Sequence, residues 1–164
     1  LTYTRWITRS PLICLLAPGL GFGPVMILGS LIALGARLDA TALTVSTIGL
    51  LLVSELLLIN QIPDADADRK VGRRHLVITL GKKAATRLVA LLLLGSFGIL
   101  GSAIWIGWLP LWTALAFAPL PAAIWISVKL PGALNRPEQF NTLLGINVGV
   151  LLATLALLIC GLSL

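Results

Sequence analysis

The chain has 164 residues, of which 58% are hydrophobic and only 11% are charged. Soluble domains are about one-quarter charged, so this composition excludes a water-soluble globule and predicts an integral membrane protein. The net charge of +6 does not indicate a nucleic-acid-binding protein, because no aromatic residues interleave with the basic ones. Two cysteines, Cys14 and Cys160, are too few for a disulfide framework.

Five apolar segments follow one another along the chain. A membrane-spanning helix needs roughly 20 mostly apolar residues, and the segments that meet this requirement are 18–36, 41–60, 84–106, 109–128 and 142–163. We therefore expect an all-α fold, a polytopic membrane bundle of five transmembrane helices that forms one domain over residues 1–164. Pro24, Pro119 and Pro121 lie inside two of these segments and predict kinks there.

The basic residues are distributed unequally between the two sides of this layout. Five spans place the N-terminus and the connections 61–83 and 129–141 on one side, which carries eleven basic residues: Arg5, Arg9, Arg69, Lys70, Arg73, Arg74, Lys82, Lys83, Arg87, Lys129 and Arg136. The other side carries Arg37 alone. Because cytoplasmic loops carry the Lys and Arg excess, we expect the connection 61–83 to be cytoplasmic.

The stretch "NQIPDADADRKVGRRHLVITLGKK", residues 60–83, holds three of the six acidic residues and six of the twelve basic ones. Pro63 suits the first turn of a helix, and on a helix Asp64 and Asp68 share a face while Asp66 points away. Two adjacent carboxylates repel each other unless a cation lies between them, and Mg²⁺ binds through carboxylates, water and substrate phosphates. The basic cluster that follows can bind the remaining phosphate oxygens, so the stretch predicts a site for a metal-bridged diphosphate.

Three other kinds of structure could explain the charges of this stretch. The D-x-D-x-D pattern opens an EF-hand, but Arg69 and His75 occupy the positions where that loop needs Gly and Glu, so we reject it. A solvated loop with internal salt bridges is an open alternative. A cation pathway in half of a transporter is another, although only Glu55 would place an ionisable group within a span.

The spacing of Asn60, Asp64, Asp68, Gly72, Arg73 and Arg74, followed by "HLVITLG", resembles the second Asp-rich motif of the UbiA-type intramembrane prenyltransferases. Within that superfamily the chain is most similar to the 1,4-dihydroxy-2-naphthoate polyprenyltransferases of menaquinone biosynthesis. The pair Tyr3–Thr4 and the stretch "GLGFGPVMILGS", residues 19–30, are similar to the part of that family between its two acidic motifs.

The resemblance implies a fold of nine membrane helices with two acidic motifs that face a central cavity. The first motif, N-D-x-x-D-x-x-x-D, has no counterpart in residues 1–164. Five spans with the acidic motif after the second one correspond to helices five to nine. The chain is therefore expected to be the C-terminal half of the enzyme and to be inactive by itself.

The resemblance also implies a reaction and its residues. The expected activity is Mg²⁺-dependent transfer of a polyprenyl group from polyprenyl diphosphate to an aromatic acceptor, 1,4-dihydroxy-2-naphthoate, in a bacterial inner or plasma membrane. Asp64 and Asp68 would be the catalytic metal ligands, and the diphosphate-binding residues would be Asn60, Lys70, Arg73 and Arg74. The alternative is a prenyltransferase of the same superfamily with another acceptor, which would be 4-hydroxybenzoate, chlorophyllide, haem or lipid. The sequence leaves the prenyl chain length open.

The positions of two further polar residues, Glu55 and His75, suggest roles for them. An ionisable group within a span is a functional candidate, but Glu55 can equally be a protonated side chain that is bonded to a neighbouring helix. His75 is the only histidine, and we interpret it as a residue of the membrane interface.

Overall fold

The computed structural model describes residues 10–164, so Tyr3, Thr4, Arg5 and Arg9 lie outside the described part of the chain. Within it the fold is all-helical and contains no strand. The helices are α1 (Pro11–Leu20), α2 (Met26–Ala33), α3 (Ala40–Lys70), α4 (Leu76–Leu80), α5 (Lys82–Ile106), α6 (Leu120–Ala133) and α7 (Pro137–Ser163).

Five helical stretches are long and apolar enough to cross a membrane, which confirms the predicted fold class and identifies an integral membrane protein. They are Pro11–Ala33, Ala40–Lys70, Lys82–Ile106, Leu111–Ala133 and Pro137–Ser163. The first begins earlier than predicted because a proline at its first position has a backbone angle already suited to a helix. The connections 71–81 and 134–136 lie at one end of the bundle, and 34–39 and 107–110 lie at the other.

The second span differs from the prediction, because residues 61–70 are helix and not part of a loop. α3 continues for ten residues past Asn60 since Ile62 and Ala65, each 2% exposed, extend its buried stripe. The basic residues Arg69 and Lys70 stabilise its C-terminus through the helix dipole. Gly72, with φ of +79°, then ends the helix in a conformation that favours glycine.

Local irregularities occur near the prolines that predicted kinks. A π-helical turn, Gly21–Val25, contains Pro24 and separates α1 from α2. The fourth span begins as a 3-10 helix, Leu111–Phe117, and becomes α-helical only after Pro119. These departures from regular helix are consistent with the missing amide hydrogen of proline, which interrupts the hydrogen-bond ladder.

α3 is the central helix of the bundle, since it contacts α1, α2, α4, α5 and α7. Its fully buried residues include Leu52, Leu58 and Ile59. Gly23 lets the first span approach α3 closely, because an added Cβ would lie 2.5 Å from the carbonyl oxygen of Ser46. α3 therefore holds the acidic motif on a well-packed element that reaches past the end of the apolar bundle.

Candidate functional site

Near the end of α3, Asp64 and Asp68 face one way and Asp66 faces another. Asp64 and Asp68 line the same cavity, as expected for residues four apart on a helix. Asp66 lies outside the cavity lining and its carboxylate accepts a hydrogen bond from Lys82 Nζ at 2.7 Å. The side chain of Asp66 is 71% exposed, so this surface ion pair contributes little to stability.

Two donors hold the carboxylate of Asp68. Arg73 Nη1 donates to Oδ1 at 2.8 Å, and His75 Nε2 lies 3.2 Å from Oδ2. The chain reverses at Gly72, where the backbone amide of Arg73 donates to the carbonyl oxygen of Asp68 at 3.1 Å. The turn thus brings both donors back over the end of α3 and fixes the direction of this carboxylate.

His75 is buried, with 2% of its surface exposed, at the N-terminus of α4. Burial lowers the pKa of His75 below its usual range, and the nearby Asp68 carboxylate opposes that effect only in part. The neutral ring has one N–H, and because a carboxylate only accepts, Nε2 must be the protonated nitrogen. Nδ1 then has no hydrogen-bond partner in the described part of the chain. The interpretation of His75 as an interface residue missed its contact with Asp68.

A cavity of about 240 Å³ opens beside the two aspartates. Its lining residues come from α1, α3 and the turn after α3: Cys14, Leu57, Asn60, Gln61, Asp64, Asp68, Arg73 and His75. Ligand pockets usually have volumes of about 300–1,000 Å³. This cavity is therefore large enough for a small polar group such as a diphosphate but too small for an isoprenoid chain as well. Four of the predicted residues, Asn60, Asp64, Asp68 and Arg73, meet here.

Two predicted residues, Lys70 and Arg74, do not join the lining. Both are exposed at the end of α3 and in the turn that follows. Conversely, Gln61 and Cys14 line the cavity although no role was predicted for them, and the Gln61 amide donates to Cys14 Sγ at 3.5 Å. Gln61 could have been found from its helical spacing, three residues before Asp64, whereas no sequence signal pointed to Cys14.

The oxygen atoms of the cavity could supply some of the ligands of a cation. Asn60 donates to the carbonyl oxygen of Leu56 at 2.7 Å, which leaves its amide oxygen available as an acceptor. Within residues 10–164, Asp68 and Asp66 accept side-chain hydrogen bonds and Asp64 accepts none. No group of three or more His, Cys, Asp or Glu side chains could hold a metal ion in the described part of the chain. Mg²⁺ takes ligands from water and substrate phosphates as well as from one or two carboxylates.

Glu55 lies deeper in the bundle, outside this cavity. Its side chain and that of Asn147 on α7 are fully buried, and Asn147 Nδ2 lies 3.2 and 3.0 Å from the two carboxyl oxygens. Of the two interpretations of Glu55, this geometry corresponds to a side chain that is bonded to a neighbouring helix.

The sequence model of the UbiA prenyltransferase family matches residues 1–147. The chain belongs to this family, whose members are membrane enzymes that transfer prenyl groups to aromatic acceptors. Comparison with curated proteins and with solved structures gave no significant match.

Proposed function

We propose that this protein transfers a polyprenyl group from polyprenyl diphosphate to 1,4-dihydroxy-2-naphthoate, with Mg²⁺ as cofactor. The observation that supports the proposal is the composition of the 240 Å³ cavity. It collects Asn60, Asp64, Asp68 and Arg73 at one end of an apolar bundle and leaves Asp66 outside. In a merely solvated charge cluster the carboxylates would not need to share a cavity with an asparagine and an arginine.

The two carboxylates of the cavity suit one side of a Mg²⁺ site. This hard cation is typically bound by one or two carboxylates and takes its other ligands from water and substrate phosphates. When bound, Mg²⁺ would act as a Lewis acid that neutralises the charge of the departing diphosphate. Asp64 and Asp68 would supply the protein ligands, and His75 and Arg73 hold the Asp68 carboxylate in place.

The basic residues divide into two groups in this proposal. Arg73 lies in the cavity lining and is half exposed, so its guanidinium has donors left for non-bridging phosphate oxygens. Asn60 faces the same space. Lys70 and Arg74 would act at longer range, by attracting the diphosphate from solution, because both are exposed outside the lining.

The bilayer suits the two ends of the substrate. The isoprenoid tail gains about 0.8 kcal/mol for each buried CH₂-sized group, so it stays in apolar surroundings, while the diphosphate meets the polar end of α3. The bond between the allylic carbon and the diphosphate oxygen breaks, and a carbon–carbon bond to the aromatic ring forms. With this acceptor the ring also loses its carboxyl group as CO₂.

In this proposal the end of the bundle that carries the acidic motif lies in the cytoplasm, because the excess of Lys and Arg residues is on that side. The proposal also assigns the chain to helices five to nine of a nine-helix fold. The first acidic motif would then come from an upstream segment of the protein.

The test is prenyl transfer by the full-length protein in liposomes supplied with a polyprenyl diphosphate. With dihydroxynaphthoate and Mg²⁺ we expect a prenylated product whose mass shows the loss of CO₂, and no product after the divalent cations are removed with a chelator. Product formed with 4-hydroxybenzoate but not with dihydroxynaphthoate would contradict the proposed acceptor. Undiminished transfer in the presence of the chelator would contradict the proposed cofactor.

A further inference from the structure

A second, larger groove lies between the end of α6 and the start of α7. Its volume is about 520 Å³, and it shares no residue with the cavity at Asp64 and Asp68. Lys129, Arg136 and Gln139 form its polar part, and Trp125, Ala133 and Leu143 form its apolar part. It lies at the same end of the bundle as the acidic motif, at the point where the fourth and fifth spans end.

The polar part of the groove is positively charged. Lys129 lies on α6, Arg136 directly precedes the first residue of α7, and both are exposed. No acidic residue lines the groove, and neither cation forms an ion pair with any residue in the range 10–164. Arg136 Nη1 donates to the amide oxygen of Gln139 at 3.4 Å. The N-terminus of α7 has no side-chain cap in the structure, and the one acidic residue of its first turn, Glu138, does not line the groove.

The apolar part of the groove gives it an amphipathic character. Ala133 and Leu143 are buried, at 2% and 3% exposure, and form its base. Trp125 lies one helical turn before Lys129 and is 44% exposed. Exposed aromatic residues near the ends of spans are typical of the membrane–water interface. A soluble anion would use the two cations but would gain nothing from this apolar wall.

We propose that the groove binds one anionic phospholipid, whose phosphate contacts Lys129 and Arg136 and whose acyl chains lie beside Trp125. Basic pockets between helix ends at the membrane surface recognise such headgroups through their charge. Each cation near an anionic lipid surface contributes about fivefold in affinity, so the loss of both is expected to weaken binding about 30-fold.

The test uses the full-length protein in detergent, titrated with phosphatidylglycerol or phosphatidylcholine, with bound lipid counted by native mass spectrometry. The variant Lys129→Gln/Arg136→Gln is compared with the control Lys83→Gln/Arg87→Gln, which removes two exposed cations from the same end of the bundle. We expect preferential binding of phosphatidylglycerol, lost in the first variant and kept in the control. Lys129→Arg keeps the positive charge and is expected to retain lipid binding. Its binding would show that position 129 tolerates substitution, so that the loss in the double variant comes from the missing charge and not from misfolding.

Two results would overturn the proposal. Equal weakening in both double variants would mean that diffuse positive charge, and not the groove, attracts the lipid. Displacement of the lipid by inorganic phosphate at similar concentration would mean that the site binds a soluble anion.

Discussion

The replacement of Asn147 by leucine removes both hydrogen bonds to the buried carboxyl group of Glu55. Leucine has the same branched skeleton as asparagine, so among the apolar residues it disturbs the packing between α3 and α7 least. A buried acceptor that loses its partner costs about 1–3 kcal/mol, and both side chains here are 0% exposed. We therefore expect Asn147→Leu to lower the free energy of unfolding by about 1–3 kcal/mol.

The double variant Glu55→Met/Asn147→Leu separates the interaction from the cost of an unpaired group. Interhelical hydrogen bonds in membrane proteins average about 0.6 kcal/mol each, so two of them are expected to give a coupling energy of about 1 kcal/mol. The double variant buries neither the Glu55 carboxyl group nor the Asn147 amide oxygen, which has no hydrogen-bond partner within residues 10–164. It should therefore lose less stability than the sum of the two single variants.

The measurement is reversible unfolding of the full-length protein in mixed micelles, with Asn141→Leu, an exposed position on the same helix, as the control. Additive losses in the two single variants would refute a direct interaction between Glu55 and Asn147. An equal loss of stability in Asn141→Leu and Asn147→Leu would show that the loss follows from replacing any polar residue of α7 and does not depend on Glu55.

Three further variants test other parts of the structure. Gly161→Ala would place a Cβ 2.5 Å from a backbone oxygen of the 3-10 helix and should cost about 1–3 kcal/mol in thermal or denaturant unfolding, whereas Gly149→Ala, with nothing within 4 Å, should cost none. Arg73→Gln should lower kcat/KM for prenyl diphosphate about tenfold or more, because it removes a charged hydrogen-bond donor, while Lys83→Gln should act as wild type; equal activity in both would leave the phosphate contact unsupported. Lys70→Cys, in a background without the native cysteines, should react with a membrane-impermeant thiol reagent from the cytoplasmic side, and labelling from the outer side would contradict the orientation.

Hydropathy predicted the number of spans because each apolar segment is long enough to cross the bilayer by itself. It failed at the end of α3, where the aspartates lower the hydropathy although the buried stripe continues through Ile62 and Ala65. The helical spacing of the acids was the better guide there. It separated Asp66 from the two aspartates that line the cavity, as the structure has them.

The parts of the site that the sequence could not predict depend on tertiary contacts. His75 reaches Asp68 only because the chain reverses at Gly72, and a single histidine carries no periodic signal. The same turn leaves Arg74 exposed while Arg73 joins the lining, a difference that adjacency in sequence cannot show. Asn147 lies 92 residues from Glu55, and no local pattern links the two.

The most direct test of the proposed metal-diphosphate site compares three isosteric changes in the full-length protein: Asp64→Asn, Asp68→Asn and Asp66→Asn. Steady-state prenyl transfer in liposomes with Mg²⁺ is measured for each, alongside its thermal unfolding. We expect the first two variants to lose about a hundredfold or more in kcat, since metal-ion stabilisation of the leaving group contributes several kcal/mol. Asp66→Asn should stay within about threefold of wild type, because it removes only an exposed ion pair. A loss in Asp66→Asn as large as in the other two, with folding intact, would contradict the assignment of the site to the face of α3 that carries Asp64 and Asp68.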